Sequence, residues 1–84
     1  MTIFYHPRFQ KSFKDLPFDV RQKAERKESI FRANPKDGRL KTHKLHGELR
    51  DFWSFSVDVK YRIIFEFDGD DITFLDIGDH DIYN

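Results

Sequence analysis

An α+β domain is predicted from three observations: a β-prone run ahead of two apolar stripes at helical spacing, apolar and polar residues alternating with a period of two from Trp53 onward, and a strong turn between the last two apolar runs. The predicted order is β-α-α-β-β-β, a helical hairpin packed on one side of a predominantly antiparallel four-stranded sheet. Ile3, Phe4 and Tyr5 form the first strand, which stops at His6-Pro7 because the proline ring fixes φ and suits the first position of a helix. Phe9, Phe13 and Leu16 then recur at i, i+4 and i+7, a helical stripe that Pro17 ends. Val20, Ala24, Ile30 and Phe31 mark a second helix ending near Asn34-Pro35, whose charged residues read as a solvated face.

Residues 34 to 40 collect turn formers and are expected to form a loop, followed by a basic connector. Beyond it Trp53, Phe55, Val57 and Val59 alternate with Ser54, Ser56, Asp58 and Lys60, the pattern of a half-buried strand. Tyr61 to Phe67 is denser in apolar residues, as for a strand covered on both faces. Asp68-Gly69-Asp70-Asp71 is a hairpin turn, and Ile72 to Ile77 is the last strand, broken at Gly78.

The length of 84 residues fits one domain, 1–84. Such a chain buries only about 60 to 65% of its unfolded surface, so 17% aromatic residues, ten of them Phe, supply burial through large side chains. The absence of cysteine excludes disulfide frameworks, thiolate zinc sites and cysteine nucleophiles, and is compatible with a reducing compartment. No signal peptide is recognised, and the longest apolar stretch, around Tyr61 to Phe67, is too short to cross a bilayer and is interrupted by Arg62. A cytoplasmic protein is expected, with no membrane partner.

A formal charge of zero conceals a division along the chain. Residues 1–50 carry 13 Lys or Arg against 6 Asp or Glu, and residues 51–84 carry 2 against 9. Folding can therefore place a basic patch beside an acidic one, which keeps an anionic partner open alongside ordinary surface charge.

His43, His46 and His80 lie outside the helical segment, in the company of Lys41, Lys44, Arg50, Lys60 and Arg62. Histidines three apart on an extended segment face opposite sides, so His43 and His46 are not expected to share a metal, and no cofactor is expected. Asp76, Asp79 and Asp81 lack the spacing of a calcium loop, and no glycine-rich phosphate loop or nucleophile elbow is present. Imidazoles titrating near neutrality, with guanidinium and ammonium groups, form a sufficient kit for cleaving RNA without a metal, because the substrate's 2′-OH is the nucleophile. Two readings of Arg62 follow from its place in an apolar run: a structural pair with a carboxylate such as Asp76, or a residue facing a site. His46 stands equally as a substrate contact or an exposed residue.

Residues 40 to 67 carry Leu45-His46-Gly47, Trp53-Ser54 and Tyr61-Arg62-Ile63-Ile64-Phe65, and the end of the chain carries Gly78-Asp79-His80-Asp81-Ile82-Tyr83. With the helical hairpin ahead of them, these elements resemble the RelE/ParE toxin superfamily over nearly the whole chain, especially its RelE, YoeB and YafQ branches. The resemblance implies a RelE-like fold and the toxin of a type II toxin-antitoxin pair, in most branches a ribosome-dependent endoribonuclease that cuts messenger RNA. Under it His43 is the general base, Arg62 contacts the scissile phosphate and His80 acts on the leaving group. Lys41, Lys44, His46, Arg50 and Lys60 are the implied RNA contacts, and Tyr83 a tail aromatic that stacks on a base.

The implied partners are a cognate antitoxin in a hetero-oligomer, messenger RNA on the ribosome, and ribosomal RNA. Phe9, Phe13 and Phe18 are candidates for the antitoxin contact, while Trp53, Phe55, Ile63, Ile64, Phe65 and Phe67 are expected in the core. The same superfamily includes ParE toxins, which bind DNA gyrase without a nuclease centre. That alternative, or a catalytically inactive relative, is the second reading.

Overall fold

The computed structural model describes residues 1–79 and Ile82. Strand β1 (Ile3–Tyr5) leads into helix α1 (Pro7–Lys14) and helix α2 (Phe18–Ala33), after which come β2 (His43–Lys44), β3 (Trp53–Ser56), β4 (Arg62–Asp68) and β5 (Asp71–Gly78). The strands form one sheet in the order β1-β5-β4-β3-β2. Among the described residues only the β1–β5 pair is parallel; the helical hairpin carries the chain from β1 to β2, and the antiparallel run from β2 to β5 brings the last strand back beside the first. The α+β class and the order of the main elements are as the sequence predicts.

The fifth strand is β2, in the stretch read as a basic connector. Two residues are too few to show a period, and the strand exists because His43 and Lys44 pair with Ser54 and Trp53 across the sheet. The expected loop also contains a 3-10 turn at Gly38–Leu40, which buries Leu40 completely. A second such turn covers Gly47–Leu49.

Local chemistry explains the helix limits. The His6 Nδ1 accepts the Arg8 amide at 3.0 Å, capping α1 with Pro7 at its first position. The helix stops at Lys14, so Leu16 packs from the connecting turn and not from the helix as its spacing suggested. Pro17 then opens α2 directly. Gly69, at φ 62°, with Asp70 makes the tight turn of the β4–β5 hairpin.

Phe31 of α2 is the centre of the core. Its ring stacks on Phe55 at 4.8 Å between centroids and meets Phe65 and Phe74 edge-on at 5.0 and 5.4 Å. A register shift between Ile64 and Phe65 leaves Leu75 without a partner on β4, so Phe74 and Ile77 both turn toward the helices although three residues apart. Phe9 is buried in this core and Phe13 packs against it, whereas Phe18 is 66% exposed. Phe67, expected inside, is 41% exposed near the hairpin end of the sheet.

The strand read from Trp53 to Lys60 ends at Ser56, although Val57 still packs into the core. Residues 57 to 60 bend away, leaving Val59 95% exposed. The cause is Asp58, whose Oδ1 accepts the amides of Lys60 and Tyr61 at 2.8 and 2.7 Å and closes the loop before β4. Ser54 and Ser56, expected on a wet face, are both buried.

Candidate active site on the helix-free face

Pairing register decides which side chains meet. In antiparallel strands, residues directly opposite one another project to the same face. Phe55 pairs with Ile63, and Phe55 touches Phe31, so this row faces the helices. The intervening rows face the other way: His43 with Ser54 and Ile64, then Ser56 with Arg62 and Gly78. His43 and Arg62 thus share the helix-free face in adjacent rows, roughly 12 Å apart at Cα from strand spacing and rise.

His43 is exposed on the edge strand, yet both ring nitrogens have neighbours. Nδ1 lies 3.0 Å from the Lys41 carbonyl oxygen and Nε2 lies 3.4 Å from the Ser54 hydroxyl. Arg62, at the start of β4, borders a cleft of about 330 Å³ together with Lys27, Arg39, Lys41, Ser56 and Asp58. No described carboxylate forms an ion pair with Arg62. Asp76, the structural partner considered from the sequence, pairs in register with Ile64, and its Oδ1 accepts the Ile77 amide. Arg62 therefore faces the cleft.

The cleft is cationic despite the neutral chain: four of its lining side chains are Lys or Arg and one, Asp58, is acidic. Burial alone would raise the Asp58 carboxyl, but the Tyr61 and Lys60 amides and the Lys23 ammonium, 3.4 Å away, together hold it below its ordinary value. Asp37, just outside, is held down to about 2 by hydrogen bonds from the Arg39 side chain and amide. These carboxylates are already engaged by cations and amides. The field at Arg62 and Lys41 is left positive.

Lys27 and Arg39 were not singled out in the sequence. Lys27 lay in the helix face read as solvated, but its ammonium donates to the Arg39 carbonyl at 3.0 Å and staples the 3-10 turn to α2 beside the cleft. Ser54 was missed because a serine in an alternating strand reads as the wet face. Only pairing of β2 against β3 brings it to His43.

The other sequence candidates are dispersed. Lys44 pairs with Trp53 and so projects to the face opposite His43. His46 precedes the Gly47–Leu49 turn, Arg50 follows it, and both are exposed. Lys60 stands in the β3–β4 loop with its ammonium 5.3 Å from the centroid of the Tyr61 ring. His80 and Tyr83 lie outside the described residues. Their neighbour Ile82 is described: a Cβ built on Gly78 would stand 2.2 Å from its Cγ2. Gly78 belongs to the Arg62 row, so the absence of a side chain there admits Ile82 onto the face that carries the candidate site.

A separate cavity of about 310 Å³ opens between the helical hairpin and the sheet, lined by Tyr5, Phe9, Phe13, Ala24, Phe74 and the outer carboxylates Glu25 and Glu28. The Tyr5 hydroxyl is raised above its ordinary value by burial, then by its hydrogen bond to Glu28. No helix among the described residues is long and apolar enough to cross a membrane.

Among solved structures, YafQ from E. coli strain BL21(DE3) superposes with a TM-score of 0.80 at 18% identity, over 96% of this chain and 94% of that one. The YoeB/ParE toxin from Agrobacterium tumefaciens gives 0.80 at 14% identity, over 95% and 99%. A chain of the RelB-RelE antitoxin-toxin complex from Methanococcus jannaschii gives 0.77 at 21% identity, over 96% and 95%. These likenesses show a common fold. No curated protein matches in sequence. Residues 3–82 match the family described as the ParE toxin of the type II toxin-antitoxin system, parDE. Because that match spans both helices and every strand, the chain belongs to the ParE toxin family of type II toxin-antitoxin systems.

Proposed function

We propose that this toxin is a ribosome-dependent endoribonuclease that cleaves messenger RNA through His43, Arg62 and His80. The observation that carries the reading is the common face of His43 and Arg62 beside a cleft lined by four cations. A positive cleft holds the phosphodiester, and an imidazole beside it supplies proton transfer near neutral pH.

In the proposed reaction His43 Nε2 takes the proton of the 2′-OH as that oxygen attacks the adjacent phosphorus. The P–O5′ bond breaks, leaving a 2′,3′-cyclic phosphate on one fragment. The departing 5′ oxygen receives a proton from His80, whose role rests on its sequence position after Gly78. The Arg62 guanidinium stabilises the charge that builds on the phosphorane-like transition state. The nucleophile belongs to the substrate, so the scheme requires no metal and leaves DNA intact. Lys41 contributes to phosphate binding from the cleft. Lys44, His46, Arg50 and Lys60 are proposed as outer contacts to messenger or ribosomal RNA, and Tyr83 as a base-stacking tail residue.

The family description supports a cognate antitoxin as partner in a hetero-oligomer, and the compartment we propose for it is the cytoplasm. The RelB-RelE and DinJ-YafQ structures are complexes of that kind. Exposed Phe18 and the apolar cavity beside the hairpin supply surface for such a contact.

The ParE name of the matched family favours a second reading, a non-enzymatic toxin that binds DNA gyrase. Primer extension on messages from cells expressing the wild type and His43→Ala separates the two. Translation-dependent cuts that vanish in the variant are expected. Growth arrest with intact messages and blocked replication would establish the gyrase reading instead, and an absence of arrest would mark an inactive relative.

A further inference from the structure

We propose that the Lys41 backbone is the positioning element of His43: its left-handed conformation aims the Lys41 carbonyl at Nδ1, fixes the imidazole as the Nδ1–H tautomer and keeps Nε2 as the proton acceptor. The inference rests on the nuclease reading for its purpose, though not for its geometry. Lys41 has φ 51° and ψ 42°, and is the one non-glycine residue with positive φ among those described. An L side chain disfavours that region, so surrounding structure must hold it there.

The holding contacts are visible. The Lys41 amide donates to the Gly38 carbonyl at 3.3 Å, ending the 3-10 turn. The Thr42 hydroxyl donates to the Pro35 carbonyl at 2.6 Å, and His43 then enters β2 against Ser54. Between these anchors the Lys41 carbonyl lies 3.0 Å from His43 Nδ1. A carbonyl can only accept, so Nδ1 must carry the proton in this contact. In the neutral ring Nε2 then holds the lone pair, facing the Ser54 hydroxyl at 3.4 Å.

The tautomer matters because an unconstrained imidazole favours the proton on Nε2. That form would present a donor to the 2′-OH and could not accept its proton. The Lys41 carbonyl removes this unproductive population and continues to accept from Nδ1–H once Nε2 is protonated, supporting the imidazolium that forms. Glycine would adopt the backbone more easily, but the Lys41 side chain also borders the Arg62 cleft. The position combines a backbone requirement with a cation.

The test is long-range ¹H–¹⁵N correlation of the neutral histidine rings in the free protein, for wild type, Lys41→Gly, Lys41→Val and Ser54→Ala. Both Lys41 variants lose the ammonium, but only glycine accepts the left-handed backbone readily. Expected are the Nδ1–H pattern for His43 in wild type, Lys41→Gly and Ser54→Ala, and a shift toward Nε2–H in Lys41→Val. Message cleavage by Lys41→Val should fall on the order of tenfold below Lys41→Gly. An Nε2–H ring in wild type would overturn the proposal even if the valine variant did not fold, as would a tautomer change in Ser54→Ala or identical tautomers in the glycine and valine variants. The Nδ1–H pattern in a wild-type protein that cuts no message would uphold the tautomer lock and reject the nuclease reading.

Discussion

On the helix-covered face of the sheet, Phe55, Phe65 and Phe74 each rest against Phe31, and Ile63, Ile72 and Ile77 fill the space around them. On the other face of β3 and β4, the residues that alternate with these are Ser54, Ser56, Arg62 and Ile64, with His43 on the neighbouring edge strand. The first face holds its structure by volume: many weak contacts in a dense layer, none of them chemically special. The second orders polar groups by a few directional contacts, and it leaves Arg62 free of any described carboxylate. Two residues adjacent in sequence, Arg62 and Ile63, therefore belong to different physical regimes.

The contrast is most sharply tested by removing each face's central residue. Phe31→Ala should cost about 3–5 kcal/mol, read as a lower denaturant midpoint with an unchanged slope. A loss below about 1 kcal/mol would mean that the aromatic layer is not one packed unit. Arg62→Ala should instead reduce message cleavage about 10²–10³-fold while moving stability by less than about 1 kcal/mol. A stability loss on the scale expected for Phe31 would make Arg62 structural and remove the distinction between the faces.

Asp58 lies where the two regimes meet, closing the β3–β4 loop and bordering the cleft. Replacing it with Ala should cost about 1–3 kcal/mol, because the Lys60 and Tyr61 amides lose their acceptor. Its folded carboxyl is depressed below the ordinary 3.8, so its stabilising contribution is complete above that value and is lost as pH falls through the lower folded value. Acid titration of stability should show this loss in the wild type and a smaller one in Asp58→Asn. Equal acid sensitivity would place the titrating group elsewhere.

The helix-covered face was largely legible in the residues. Phe9, Val20, Ala24 and Phe31 mark it by helical spacing, Phe55 by alternation, and Ile63 and Phe65 by a dense apolar run, because an apolar pattern survives without knowledge of its partner. Burial of Ser54 was not legible, since nothing near it in sequence tells which strand will cover it. Nor was the β5 irregularity that turns Phe74 and Ile77 to one side, or the inclusion of Lys27 and Arg39 in the cleft. Lys44 shows the converse limit: next to His43 in sequence, it projects to the other face because strand side chains alternate.

By itself the sequence determined the α+β class, the two helices, the hairpin at Gly69 and, through the resemblance, the family, and it named His43 and Arg62 as candidates. These follow from local spacing, turn chemistry and short motifs, which need no long-range contact to be read. Tertiary structure alone decided that His43 and Arg62 share a face, that the Lys41 carbonyl meets Nδ1, and that a neutral chain presents a cationic cleft. Each depends on pairing between segments distant in sequence. A one-residue change of register would reverse the faces without altering a single residue.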